Sequence, residues 1–119
     1  MHTADRETAP ILDGVALGEL ERLGPDVVSE IVQSFVLDVP ERLISLRGEV
    51  AAQSSSGIVR EIHALKGSAL AVGATRLARL CAAIERDARA GFLDEAMARS
   101  SEIESVFEEV REALREAGR

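Results

Sequence analysis

The 119-residue chain is long enough for one domain with a single core, and its 46% hydrophobic and 29% charged residues are typical of a globular protein. With three Phe and no Trp or Tyr it lacks aromatic faces for stacking nucleic-acid bases, and its net charge of −7 argues against binding to nucleic acids or anionic membranes. One cysteine excludes an internal disulfide and a cysteine-based zinc site. No apolar run approaches the roughly 20 residues that span a bilayer, and no signal peptide is evident, so a cytoplasmic location is expected.

The N-terminal region predicts a loose end followed by a short helix. Residues 1–10 are polar, have no apolar periodicity and are expected to fray, whereas residues 11–119 are expected to form one domain. The short helix runs from Leu12 to Leu23, with Asp13 as its N-cap.

A long amphipathic helix is predicted from Asp26 to about Gln53, with Pro25 in its first turn. Pro40 removes one backbone donor from this helix, which predicts a kink or, alternatively, a break. The serines that follow form a turn and a cap, and the next apolar stripe runs from Ile58 to Val72. The core is expected to be aliphatic because aromatic residues are so few.

Two further stripes complete the chain. One extends from Leu77 to Ala88 and the other from Leu93 to Leu114, each followed by a glycine. No alternating pattern typical of strands is present. Four substantial helices with short connections predict an all-α fold, an antiparallel four-helix bundle preceded by a short N-terminal helix.

His63 lies beside the buried stripe of its helix rather than within it, so its face is expected to be partly exposed. A solvated surface histidine is the ordinary interpretation. Gly67, one turn later on the same face, costs a helix about 1 kcal/mol relative to Ala and so needs a reason. A tight helix–helix contact is one reason, and clearance for a large group that approaches the imidazole is the other.

Lys66 is the only lysine beside thirteen arginines, a composition that indicates a GC-rich bacterial genome. It stands three residues after His63 on the same helical face. A compact, rotatable ammonium group suits a phosphoryl group carried on the imidazole, because it neutralises charge without demanding bidentate geometry.

These residues belong to a longer pattern. His63-Ala64-Leu65-Lys66-Gly67-Ser68 is followed by Val72-Gly73-Ala74 and then by Leu77, Leu80-Cys81 and Ile84-Glu85. The run resembles the signature of histidine-containing phosphotransfer (Hpt) domains, and the similarity extends more loosely to Leu12-Asp13, Phe35 and Pro40-Glu41-Arg42-Leu43. The resemblance implies a four-helix bundle that carries a phosphoryl group between aspartates. Cys81 is interpreted as a small core residue. The Ser68 hydroxyl either bonds a carbonyl one turn back and so supports the helix, or has no such role.

The resemblance also implies roles for individual residues. His63 is the residue that accepts the phosphoryl group from the aspartyl phosphate of one receiver domain and passes it to another. Glu85 stands where the family often places a Glu or Gln that faces the histidine, and there it would bind Nδ1–H and leave Nε2 to attack. An exposed helix carboxylate is the alternative interpretation of Glu85. Magnesium would belong to the receiver, so no cofactor or metal is expected on this chain, nor any kinase or phosphatase machinery.

The expected partners are receiver domains of response regulators or hybrid histidine kinases, bound transiently by a monomer through an apolar patch that includes Val59, Gly67 and Leu70. Residues 57–91 hold six basic and three acidic side chains, a net of +3, so the remaining residues carry −10. A mildly basic surface around His63 would attract an acidic receiver pocket. Two alternatives stay open. One is a helical adaptor that uses this face without phosphoryl chemistry. The other is the phospho-accepting domain of a chemotaxis-type or hybrid histidine kinase.

Overall fold

The computed structural model describes residues 9–117, and these are folded into six α-helices without a strand. The predicted all-α class is therefore confirmed. The helices are α1 (Gly14–Glu21), α2 (Pro25–Ala51), α3 (Ser55–Ala71), α4 (Thr75–Arg89), α5 (Leu93–Ser100) and α6 (Ile103–Ala117). No helix within this part of the chain is long and apolar enough to cross a membrane.

The helix boundaries follow the local signals of the sequence. The Asp13 side chain accepts a hydrogen bond of 2.9 Å from the amide of Val15 and so caps α1. The Ser54 hydroxyl caps α3 in the same way, by accepting a hydrogen bond of 3.1 Å from the amide of Gly57. Gly73 follows α3 with a φ of +72°, a left-handed conformation that glycine adopts without steric cost.

Helix α2 runs through Pro40 without interruption for 27 residues, so the alternative of a break at this proline is wrong. Pro40 is exposed, whereas Val39 and Leu43 on the same helix are buried.

Helix α4 packs against three helices, α3, α5 and α6, and α3 also contacts α2. The core is almost wholly aliphatic, as predicted. Its aromatic members are Phe35 and Phe107, whose ring centroids are 5.6 Å apart. The fully buried side chains include Ile58, Ile62, Leu65, Leu77, Leu80, Ile84, Ile103 and Val110.

The last predicted stripe is two helices rather than one. Helix α5 ends at Ser100 and α6 begins at Ile103. The hydroxyls of Ser100 and Ser101 bond back to the carbonyls of Ala96 and Ala98, at 2.8 and 2.7 Å. Ala96 and Ile103, on the two sides of this turn, are both 0% exposed, so both helices bury their apolar sides in the core.

The chain is bound to the helical domain from an earlier residue than expected. Ala9 is buried, and its carbonyl accepts a hydrogen bond of 2.9 Å from Nε of Arg76. The backbone amide of Arg76 donates a hydrogen bond of 3.0 Å to the carbonyl of Pro10. Residues 9 and 10 are thus bound to the start of α4, which corrects the expectation that the stretch frays up to Pro10. Residues 1–8 lie outside the described part.

Candidate functional site

His63 is exposed in the middle of α3. Its neighbours Ile62 and Leu65 are 0% and 1% exposed, whereas the imidazole keeps 67% of its side-chain surface accessible. The ring lies over the groove between α3 and α4 because the buried stripe of α3 fixes how the helix is rotated. His63 is therefore exposed in the structure, as the sequence predicts.

Glu85 of α4 faces the imidazole from across this groove. One of its oxygens, Oε2, is 3.3 Å from Nδ1 of His63. The other oxygen, Oε1, accepts a hydrogen bond of 2.7 Å from Nζ of Lys66. Arg89, one turn along α4, donates to Oε2 through Nε at 3.2 Å and Nη2 at 2.8 Å. We refer to these four side chains, His63, Lys66, Glu85 and Arg89, as the His63 cluster.

The carboxylate at the centre of the His63 cluster is buried and ionised. Glu85 is 7% exposed, the one buried charged residue within residues 9–117. Its pKa is lowered from 4.5 to about 2, chiefly by the hydrogen bond from Lys66 and then by those from Arg89, which outweigh the opposing effect of burial.

The ionised state of Glu85 decides which ring nitrogen of His63 carries the proton. A carboxylate can only accept hydrogen bonds, so Nδ1 must be the donor in its contact with Oε2. In the neutral ring Nε2 then holds the lone pair, and this nitrogen is the one left free for a reacting partner. The cluster therefore presents an oriented nucleophile at an open surface.

The structure brings Lys66 to Glu85 as well as to His63. The sequence predicts this lysine beside the imidazole, where it would meet a phosphoryl group. Its ammonium is bound to Oε1 of Glu85, and the side chain is 28% exposed. The positive charge is thus one helical turn from His63 but already shared with a carboxylate.

Arg89 entered the sequence analysis only as part of the net charge. Its spacing of four residues from Glu85 is a signal for a pair on one helix face, and the structure contains that pair. Lys66, Arg86 and Arg89 together line an open depression beside Glu85 at the surface of the α3–α4 groove. The rim of the site is basic.

The residues proposed for partner binding lie around His63 with different exposure. Gly67 is exposed, and a Cβ added there would meet no atom within 4 Å, so a helix–helix contact is not the reason for this glycine. Leu70 is 60% exposed. Val59 is partly buried and packs against the core, which leaves less of it for a partner.

Two other residues of the motif have structural places. The Ser68 hydroxyl donates to the carbonyl of Ala64 at 3.3 Å, as expected for a serine within a helix. Cys81 is fully buried in the core, and burial raises the pKa of its thiol to about 12. Between residues 9 and 117 no group of three or more His, Cys, Asp and Glu side chains is arranged to hold a metal ion.

Comparison with known proteins shows that the chain is similar to phosphotransfer domains in sequence and fold. A sequence model of the Hpt domain matches residues 30–117. The structure is similar to the crystal structure of histidine-containing phosphotransfer protein B from Pseudomonas aeruginosa PAO1, with a TM-score of 0.85 and 32% identity over 93% of this chain and 96% of that one. No match is found among the curated proteins.

Proposed function

This chain belongs to the Hpt domain family, and from that premise we propose that it is a phosphoryl carrier of a multistep two-component relay. His63 receives the phosphoryl group from the aspartyl phosphate of one receiver domain and passes it to the aspartate of another. The observation that carries the proposal is an imidazole that is 67% exposed while its Nδ1 contacts a buried, ionised carboxylate.

The transfer chemistry divides between the two partners. The receiver supplies Mg²⁺ and the acidic pocket that hold the phosphoryl group in line for attack. The chain supplies the nucleophile, its orientation and nearby positive charge from Lys66 and Arg89. On this account the protein carries the group and has no kinase or phosphatase activity of its own.

Receiver docking would use the surface around His63. Leu70 offers exposed apolar area, Gly67 lets the partner's backbone approach the imidazole, and Val59 contributes its accessible edge. The basic rim formed by Lys66, Arg86 and Arg89 would attract the acidic receiver pocket. A transient complex between monomers is the expected form of this interaction.

The decisive experiment is transfer from a phosphorylated receiver. Receiver domains of the source organism, charged with acetyl phosphate and Mg²⁺, are mixed with the chain, and acid-labile phosphate on the chain is followed over time. A receiver whose phosphorylatable aspartate is replaced by asparagine is the control. The proposal expects rapid labelling by at least one receiver and none from its control.

The alternatives give different results in the same assay. A helical adaptor would bind a receiver and remain unlabelled. The phospho-accepting domain of a chemotaxis-type kinase would be labelled by a kinase catalytic domain with ATP and by no receiver. Either result would replace the relay role.

A further inference from the structure

A carboxylate beside Nδ1 has a consequence for the phosphorylated state, because a phosphorylated imidazole changes its hydrogen-bonding pattern. When Nε2 carries phosphorus and the ring is neutral, Nδ1 has no proton and is an acceptor. Glu85 is also only an acceptor, since its pKa is held at about 2 by Lys66 and Arg89. The contact of 3.3 Å between Nδ1 and Oε2 would then bring two lone pairs together.

We propose that Glu85 keeps Nδ1 protonated after phosphorylation, so that phosphorylated His63 is held as an imidazolium that gives up its phosphoryl group readily. Glu85 is on this account a positioning residue that favours onward transfer. The inference rests on the proposed function of His63 as phosphoryl acceptor. A glutamine at position 85 would not act in this way, because its amide can rotate and donate to the unprotonated ring.

The atoms and charges balance in both directions of transfer. In the forward step the Nε2 lone pair forms the Nε2–P bond while the P–O bond of the aspartyl phosphate breaks, and the aspartate leaves with the electron pair. The ring, with its Nδ1 proton retained, becomes positively charged. In the onward step a receiver aspartate attacks phosphorus, the Nε2–P electron pair returns to the ring, and neutral imidazole leaves. Without the Nδ1 proton the leaving group would be an anion, which is a much poorer one.

The charges around the ring support the same direction. Lys66 and Arg89 are both committed to Glu85, so the carboxylate competes with a phosphoryl group for these two cations. Loss of the carboxylate would remove the partner of the Nδ1 proton and release both cations to the phosphoryl oxygens. Each change would make phosphohistidine more persistent.

Other ionisable groups near the site do not replace Glu85. On α3, the carboxylate of Glu61 faces α2 and is bound to Arg42 at 3.0 Å. On α4, Cys81 remains a neutral thiol because burial raises its pKa to about 12. The charged side chains toward the groove are Lys66 of α3 and Glu85, Arg86 and Arg89 of α4.

The test compares wild type with Glu85→Gln, and Glu61→Gln is the matched control that removes a carboxylate bound to an arginine on the other side of α3. The three proteins are phosphorylated with phosphoramidate, and the rate of transfer to a receiver is measured between pH 6 and 9. Relative to their rates at pH 6, wild type and Glu61→Gln are expected to transfer about tenfold faster than Glu85→Gln toward pH 9, because a difference of one pKa unit changes the protonated fraction tenfold above both pKa values. Parallel pH profiles for all three proteins would overturn the inference.

A second measurement needs no variant. The ³¹P resonance of phosphorylated wild type is titrated in the folded state and in urea, and the folded protein is expected to titrate about one pH unit higher or more. Equal inflections in the two states would also overturn the inference. If no phosphohistidine forms from either phosphoramidate or a receiver, the proposed function itself fails, and this result is distinct from both outcomes above.

Discussion

Helix α3 has arginine- or lysine-bound carboxylates on both of its sides, and only one side has the features of a reactive site. Toward α2, Glu61 is bound to Arg42 at 3.0 Å and its side chain is 13% exposed. Toward α4, the side chain of Glu85 is 10% exposed and is shared by Lys66, Arg89 and an exposed imidazole. An ion-paired carboxylate with little accessible surface is thus common to both grooves, and the difference is a nucleophile whose orientation depends on the carboxylate.

The two grooves also differ in charge. The α2–α3 groove is lined by Asp38, Glu41, Arg42, Ser45 and Glu61, an acidic set. The α3–α4 depression is lined by Lys66, Arg86 and Arg89 around the single carboxylate of Glu85. One helix therefore separates two surfaces of opposite sign. An acidic partner is attracted to the α4 side and repelled from the α2 side, which gives His63 a preferred direction of approach.

The largest expected effect is that of His63→Gln, which should abolish labelling by a phosphorylated receiver. The free energy of unfolding should change by less than about 0.5 kcal/mol, because the side chain is exposed and the amide can still donate to Glu85. Arg42→Gln in the opposite groove should be labelled at the wild-type rate. Acid-labile label on the His63 variant, or its loss from the Arg42 variant, would break the contrast between the grooves.

The second effect is on acid stability. The folded-state pKa of Glu85, about 2, lies below the ordinary value of 4.5, so its stabilising contribution is complete above about pH 4.5 and is lost as pH falls through 2. This contribution is on the order of 3 kcal/mol. In urea unfolding at pH 7, the free energy of unfolding of wild type should exceed that of Glu85→Gln by this amount, and the difference should disappear toward pH 2. A gap that is constant with pH would contradict the assignment.

Lys66→Ala should slow transfer from a phosphorylated receiver by roughly tenfold, or about 1.4 kcal/mol, because docking excludes water and strengthens the interaction of the ammonium with the phosphoryl oxygens. Lys66→Arg should recover part of the rate. The sequence predicts little change in stability, but the structure adds a cost of about 1–3 kcal/mol because Oε1 of Glu85 loses its donor. Single-turnover rates at two salt concentrations test the first point and urea unfolding the second.

Arg60→Ala is the matched control for the lysine, since Arg60 is an exposed cation of the same helix and is bound to Glu49 at 2.8 Å. Its transfer rate should match wild type. A Lys66→Ala rate within twofold of wild type at both salt concentrations would mean that the lysine has no part in transfer.

Gly67→Gln has the smallest expected effect, a several-fold slower transfer with a more stable helix. A side chain at this position meets no atom within 4 Å, so the fold accepts it and gains about 1 kcal/mol, while the docked receiver is obstructed. Gly48→Gln in α2 is the control, because Gly48 is also an exposed helical glycine with open space around it. Both variants should have a higher melting temperature than wild type, and only Gly67→Gln should have a slower phosphoryl transfer.

Much of the fold was predictable because its signals are local. Apolar spacing, Asp13, Ser54 and Gly73 mark where helices run and end, and these signals act within a few residues. The turn between α5 and α6 was not predicted, because the apolar positions on its two sides are also compatible with one continuous helix. The attachment of Ala9 to Arg76 joins segments far apart in sequence, and no local pattern encodes it.

The site divides in the same way. The exposure of His63 follows from its place beside the buried stripe, and the facing position of Glu85 follows from the resemblance to Hpt domains. The partner of Lys66 did not follow, because an ammonium on a flexible chain reaches either solvent or a carboxylate, and the spacing of α3 and α4 decides between them. Arg89 was missed because its pairing matters only once Glu85 is known to be buried.

The position of phosphorus on the imidazole tests the central claim most directly. The chain, labelled at its histidine side chains with ¹⁵N, is phosphorylated by a receiver, and ³¹P–¹⁵N coupling identifies the bonded nitrogen. Because Nδ1 is held by Glu85, the account predicts phosphorus on Nε2 of His63. Phosphorus on Nδ1 of His63, or on any other residue, would contradict it.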